Sequence, residues 1–284
     1  MGYIKTAIIA LLLVILTFNI MLLEFNIVTN MTFMQPDYYD KIFAENQVYG
    51  QLRQWSFGMI KDVLPYGLDG LPYIQKVLTD DWIRQESKSI LEGLISFFKG
   101  IQDDLPVLPF YKLKENLYDK IDTNKTGEQR RLLIDLWLGA LPDKVRIKDF
   151  ASTDKLWAIR SYAKNLRWTP WLLFSIYIII IAIVYFITSS IEDMIACCSA
   201  SLISASILST IEGIVLWFTM PSSSLVSTLV KQLTDQNFQK DNIMAVLNSF
   251  MIGFVIRLGI ISAVVFLCGY VMLNYISNRK LEIV

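Results

Sequence analysis

Apolar residues run almost unbroken at four places in the chain. These are 6 to 23 (TAIIALLLVILTFNIMLL), 170 to 188 (PWLLFSIYIIIIAIVYFIT), 194 to 220 (MIACCSASLISASILSTIEGIVLWFTM) and 250 to 276 (FMIGFVIRLGIISAVVFLCGYVMLNYI). A helix needs about 20 residues to cross the hydrocarbon of a bilayer, so each run predicts a transmembrane helix. The first follows Lys5 and reads as an uncleaved signal anchor. It is too long for the apolar region of a cleaved leader, and no small-x-small site precedes Glu24.

Between the first and second runs the pattern changes to amphipathic helical spacing. Tyr38, Ile42, Tyr49, Leu52 and Met59 share one stripe behind a Pro36-Asp37 start signal. Ile83, Ile90, Leu94, Phe97 and Phe98 form a second stripe opposite Gln85, Lys88, Glu92 and Lys99, with Asp80 or Asp81 as the cap and Gly100 as the stop. Phe110, Leu113, Leu117 and Ile121 repeat the spacing. So do Leu132, Leu133, Leu136, Trp137 and Ala140, and then Leu156, Ile159, Ala163 and Leu166. Pro65, Pro72, Pro106, Pro109 and Pro142 fall between stripes, where they end helices. Strand-like alternation is sustained nowhere. At the entry to the second run, Thr169 is placed to cap and Pro170 to occupy the first helical position, with Trp168 and Trp171 at the interface.

The fold class expected is therefore an all-α membrane protein, with four transmembrane helices and a helical extracytoplasmic domain between the first and second. Its parts are a signal-anchor span (1–23), the helical domain (24–169), and a three-span membrane domain (170–284) with an outer loop at about 221–249. Lys5 near one end and Arg279 with Lys280 near the other place both termini in the cytoplasm, because Lys and Arg near span ends stay inside. The expected location is the cell membrane, with the bilayer itself as the first partner.

Composition narrows the chemistry. Of 284 residues, 54% are hydrophobic and 18% charged, far from the balance of a soluble domain. Lys plus Arg and Asp plus Glu stand at 26 each, so no basic surplus exists to neutralise phosphates, and nucleic acid is not an expected partner. Histidine is absent, which removes imidazole metal ligands and His-dependent nucleophile systems. Cys197, Cys198 and Cys268 all fall in apolar runs, leaving the polar segment no disulfide framework. No cofactor and no metal site is expected: the acid pairs Asp80-Asp81 and Asp103-Asp104 read as caps or solvated charge. SYAK at 161–164 and KTG at 125–127 match elements of a serine acyl-transfer set, but in the wrong order and in too small a helical segment.

The third run differs in texture from the second. Cys197, Ser201, Ala205, Ser209 and Gly213 recur every four residues, a small-residue stripe that lets another helix approach closely in lipid. The reading is intramolecular packing against the fourth span, with a homo-oligomer interface as the alternative. Two charges stand inside apolar runs, Glu212 and Arg257. At about 1.5 Å per residue they lie roughly 7 Å and roughly 9 Å outward of their spans' midpoints, and so are level. A charge within the bilayer is costly and normally faces a partner or a water-filled path, so the two are expected to form an intramembrane charge pair.

One span, an outer domain and three more spans with both ends inside resembles in outline the membrane subunit of the FtsX and MacB type of ABC transporter. That family has a coupling helix between its second and third spans, where this chain has only SSIED (189–193), and sheet in its outer domains. The resemblance is one of topology and implies no activity here. The functional expectation is a non-enzymatic bacterial envelope protein whose juxtamembrane domain binds or organises another envelope component. The alternative is a transport or export component with a polar path at Glu212 and Arg257.

Overall fold

The computed structural model describes residues 2–63, 71–120, 132, 135–136, 138–140, 143–146, 153–235 and 239–282. The helices are α1 (Gly2–Thr32), α2 (Pro36–Glu45), α3 (Val48–Val63), α4 (Leu71–Val77), α5 (Asp80–Phe98), α6 (Phe110–Lys120), α7 (Thr153–Leu166), α8 (Thr169–Thr188), α9 (Ile191–Thr219), α10 (Ser224–Thr234) and α11 (Lys240–Glu282). A three-residue antiparallel ladder joins β1 (Val107–Pro109) to β2 (Lys144–Arg146), the one departure from an all-helical chain among the described residues. The chain forms two compact units: residues 1–34, 165–231 and 247–284 in one, and 35–164 with 232–246 in the other.

The first unit holds most of the length of four helices long and apolar enough to cross a membrane, within Tyr3–Thr32, Thr169–Thr188, Ile191–Thr228 and Lys240–Arg279. Their apolar faces suit a lipid environment. The helices lie where the apolar runs predict them, but two boundaries move. No helix breaker stands between Leu23 and Pro36, so α1 continues through Glu24 to Thr32, and residues 24–34 belong to the membrane unit rather than to the helical domain. The expected loop at 221–249 is itself largely helical, containing α10 and the start of α11.

Within this unit α1 packs against both α8 and α9. Leu16 and Ile20 of α1 cluster with Ile180 and Val184 of α8 and Ala205 of α9, and Val265 of α11 joins them. A second cluster holds Val28, Phe254 and Leu258, with Phe25 and Phe254 edge to face at 5.3 Å. Ser189 (φ 54°) turns the chain between α8 and α9, and the Ser190 side chain caps α9 by accepting from the Asp193 N–H at 3.2 Å. SSIED is thus a tight turn followed by a capped helix start with acids in its first turn. Thr169 does not cap α8; its hydroxyl donates to the Asn165 carbonyl at 2.8 Å.

The second unit is built on Tyr49, Ile74, Val77, Leu78, Ile83, Leu113 and Leu117, all buried. The stripe from Tyr38 to Met59 is interrupted at Gln47 (φ 55°), which splits it into α2 and α3. The cap of α5 is Thr79, whose hydroxyl accepts from the Trp82 N–H, while Asp80 and Asp81 occupy the first turn. Gly100, at φ 69°, ends that helix in the left-handed region that suits glycine. On two expected stripes the structure disagrees with the pattern. Leu132 and Leu136 are exposed (62% and 65%) and Leu138 is buried, while Leu133 and Trp137 of the same stripe lie outside the described residues. On α7, Ile159 is exposed, and Arg160 turns inward in its place.

Candidate functional site

Among the described residues of the membrane unit one carboxyl is buried, and it is not that of Glu212. Glu24 is 1% exposed. It belongs to a stripe of buried α1 residues spaced every four positions: Leu16, Ile20, Glu24, Val28 and Thr32. A four-residue spacing keeps side chains on one ridge, and such ridges interlock between helices. On α9 the matching residues are Ser201, Ala205, Ser209 and Gly213, all buried, with Cys197 half-buried at the end. On α11 they are Phe254, Leu258 and Ser262. The small stripe thus meets the first span as well as the fourth: Ala205 packs with Leu16 and Ile20, while Gly213 faces Leu258.

Where the three ridges meet, the Ser262 hydroxyl donates to Glu24 Oε2 at 2.8 Å. Ser209 lies beside the same carboxyl. The Ser209 hydroxyl is within reach of that carboxyl, but neither it nor Glu24 Oε1 makes a hydrogen bond of good geometry, although both atoms are buried. Other polar groups of α1 are satisfied locally. Thr17, Thr29 and Thr32 donate to carbonyls four residues back at 2.7–2.9 Å. The Asn30 amide donates to Asn26 Oδ1 at 2.9 Å and to the Leu166 carbonyl at 3.2 Å.

Glu212 and Arg257 are both half-buried. Their chain neighbours Gly213 and Leu258 touch, since a Cβ on Gly213 would come 3.2 Å from Leu258 Cδ2, so the two charges share a level. Among the described residues no ion pair within 4 Å joins them. Each stands one residue, about 100° of helical rotation, off the line on which the two helices meet.

The second unit carries its charges in specific pairs. Arg84 donates to both carboxylate oxygens of Asp40 at 2.9 and 2.7 Å, and the Tyr49 hydroxyl donates to Oδ1 at 2.8 Å. The Arg84 hydrogen bonds, opposed in part by burial, hold the Asp40 carboxyl below its usual range. Burial first, and then the bond to Asp40, push the Tyr49 phenol up. Arg160 is an interior clamp. It donates to the carbonyls of Phe97 (3.0 Å) and Gln102 (3.1 Å) and to Asp103 (2.6 Å), and lies 4.7 Å over the Phe97 ring and 4.8 Å over that of Trp157. Asp80 pairs with Arg53, so one member of each adjacent acid pair is engaged by an arginine. KTG lies outside the described residues. A surface pocket of about 310 Å³ is lined by Lys114, Glu115, Tyr118, Asp119, Asp135 and Leu138.

No protein family, curated protein or solved structure matches the chain. Glu24, Ser262 and Arg160 are the residues that sequence reasoning missed. For Glu24 a signal was present: it continues the stripe Leu16, Ile20, Val28 and Thr32, and no breaker follows before Pro36.

Proposed function

We propose that this is a non-enzymatic multi-pass protein of the cell envelope, whose helical unit faces outward beside the membrane and binds another envelope protein. The observation that carries the reading is a pair of exposed leucines beside a surface pocket. Leu132 and Leu136 stand in solvent, and Asp135 and Leu138 of the same segment line the pocket with Tyr118. Large exposed apolar side chains rimmed by charges mark interaction surfaces. The absence of histidine fits a binding role better than acid-base catalysis at neutral pH. Site-specific photo-crosslinking at Leu136 and Tyr118 in native membranes should give one discrete adduct, lost when Leu132→Glu is added. No adduct at either position would defeat the reading.

A transport or export component is the second reading, favoured by the buried polar residues of the membrane unit. Its path would include Glu212 and Arg257. A cysteine at Glu212 that reacts with small hydrophilic thiol reagents would support it, and an inert one would count against it.

A further inference from the structure

The carboxyl of Glu24 is buried, with Ser262 as its hydrogen-bond donor. Among the described residues no ion pair joins Glu24, and the nearest charged groups along the packed helices are Glu212, three residues past Ser209, and Arg257, five before Ser262. α8 carries no Asp, Glu, Lys or Arg; its titratable groups are Tyr177 and Tyr185. On α9 and α11 the thiols Cys197, Cys198 and Cys268 lie further still along the chain. The ridge residues on either side of Glu24 are apolar: Ile20, Ala205 and Val265 about one turn toward the start of α1 with Leu16 a turn beyond, and Val28 and Leu258 one turn toward its end, while Asn19, Asn26 and Ser206 are buried off those ridges. A carboxylate in so dry a place is costly unless its charge is balanced there.

We propose that Glu24, Ser209 and Ser262 form an exchangeable site for one small monovalent cation, a proton or a sodium ion. Charge fixes the valence, because one carboxylate balances one positive charge, and a divalent ion would leave the interior net positive. Ligand chemistry fixes the class, because an all-oxygen set of carboxylate and hydroxyls suits a hard ion. Among the buried side-chain atoms that lack a hydrogen bond, Glu24 Oε1 and Ser209 Oγ are two that such an ion would satisfy. A proton on Glu24 Oε1 donates to Ser209 Oγ while Ser262 continues to donate to Oε2. A sodium ion instead takes lone pairs from Oε1 and both hydroxyls. Four polar residues, Asn26, Thr29, Asn30 and Thr32, stand on α1 in the eight residues from Glu24 to its end, about 12 Å at 1.5 Å per residue, against Thr17 and Asn19 in the eight before Glu24. The assignment holds whether the protein binds a partner or carries a solute.

The test is labelling of the full-length protein in detergent and in vesicles with dicyclohexylcarbodiimide, a lipid-soluble reagent that adds to un-ionised carboxyls, read by mass spectrometry at Glu24. If the ion is a proton, labelling falls about tenfold per pH unit above the site's titration midpoint and ignores sodium. If it is sodium, labelling at fixed pH falls about tenfold when sodium, but not choline, exceeds its dissociation constant about tenfold. Ser209→Ala, which keeps the carboxyl and the fold, should shift the midpoint or weaken sodium protection. Labelling that is independent of both pH and sodium, or absent at Glu24 under every condition, overturns the proposal. So does a Ser209→Ala profile identical to wild type.

Discussion

Asp40 accepts from the Arg84 guanidinium and the Tyr49 hydroxyl, and its lowered folded-state pKa ties stability to pH with a definite sign. A carboxyl titrating lower in the folded than in the unfolded chain contributes stability above the unfolded value, about pH 4. That contribution is lost as pH falls through the folded value. Asp40→Asn should therefore flatten the acid limb of the stability curve and leave its shape between about pH 6 and pH 8 unchanged, as thermal melts from pH 3 to pH 8 would show. Arg160 argues differently, since it closes the end of α5 through two carbonyls. Arg160→Ala should cost about 2–3 kcal/mol, and Arg160→Lys less, because the ammonium keeps the charge but not the planar fork. In the membrane unit the contrast is between two acids. Glu212→Gln should stay within about 0.5 kcal/mol of wild type, and Ser262→Ala should cost about 1–3 kcal/mol by stripping a buried carboxyl oxygen of its donor. Melting in detergent separates them, and equal losses would contradict the geometry. Hydropathy drew attention to Glu212 because it interrupts an apolar run. It passed over Glu24 because a charge at the edge of a run looks like its end.

Helix packing explains why the spans were legible and their contacts were not. Composition alone marks an 18-residue apolar window, but which face meets which neighbour depends on ridges from three helices at once. The stripe from Cys197 to Gly213 was visible; that Leu16 and Ile20 would lie against it was not. Close approach also occurs at Gly269, which accepts a 2.7 Å hydrogen bond from Ser199 Oγ and where a Cβ would come 2.9 Å from Ile203, 3.0 Å from Leu202 and 3.1 Å from the Ser199 carbonyl. Gly269→Leu should lower detergent stability by about 1–3 kcal/mol or more through overpacking. Gly259, whose Cβ would meet nothing within 4 Å, should tolerate Ala with a far smaller change. Similar losses at both positions would show that α11 does not pack as described. In the helical unit the stripes placed the helices, and failed at Gln47, where a left-handed residue breaks one, and at Arg160, where aromatic faces and carbonyls compensate an inward cation.

For the whole chain, the first span runs on to Thr32 with Glu24 inside it, and the helical unit begins at about residue 35. Positive charge at Lys5 and Arg279 sets the expected orientation, with both ends in the cytoplasm and the helical unit outside. Both are open to a single labelling series in intact cells. Cys197, Cys198 and Cys268 are first replaced, and single cysteines are then introduced at Val28, Gln35, Asp104 and Asn278 for reaction with an impermeant thiol reagent. Val28 is fully buried, whereas Gln35 and Asp104 are exposed. The expected pattern is labelling at Gln35 and Asp104 and none at Val28 or Asn278. Labelling at Val28 as strong as at Gln35 would end the first span before Glu24 and remove its buried carboxyl, and labelling at Asn278 would reverse the orientation.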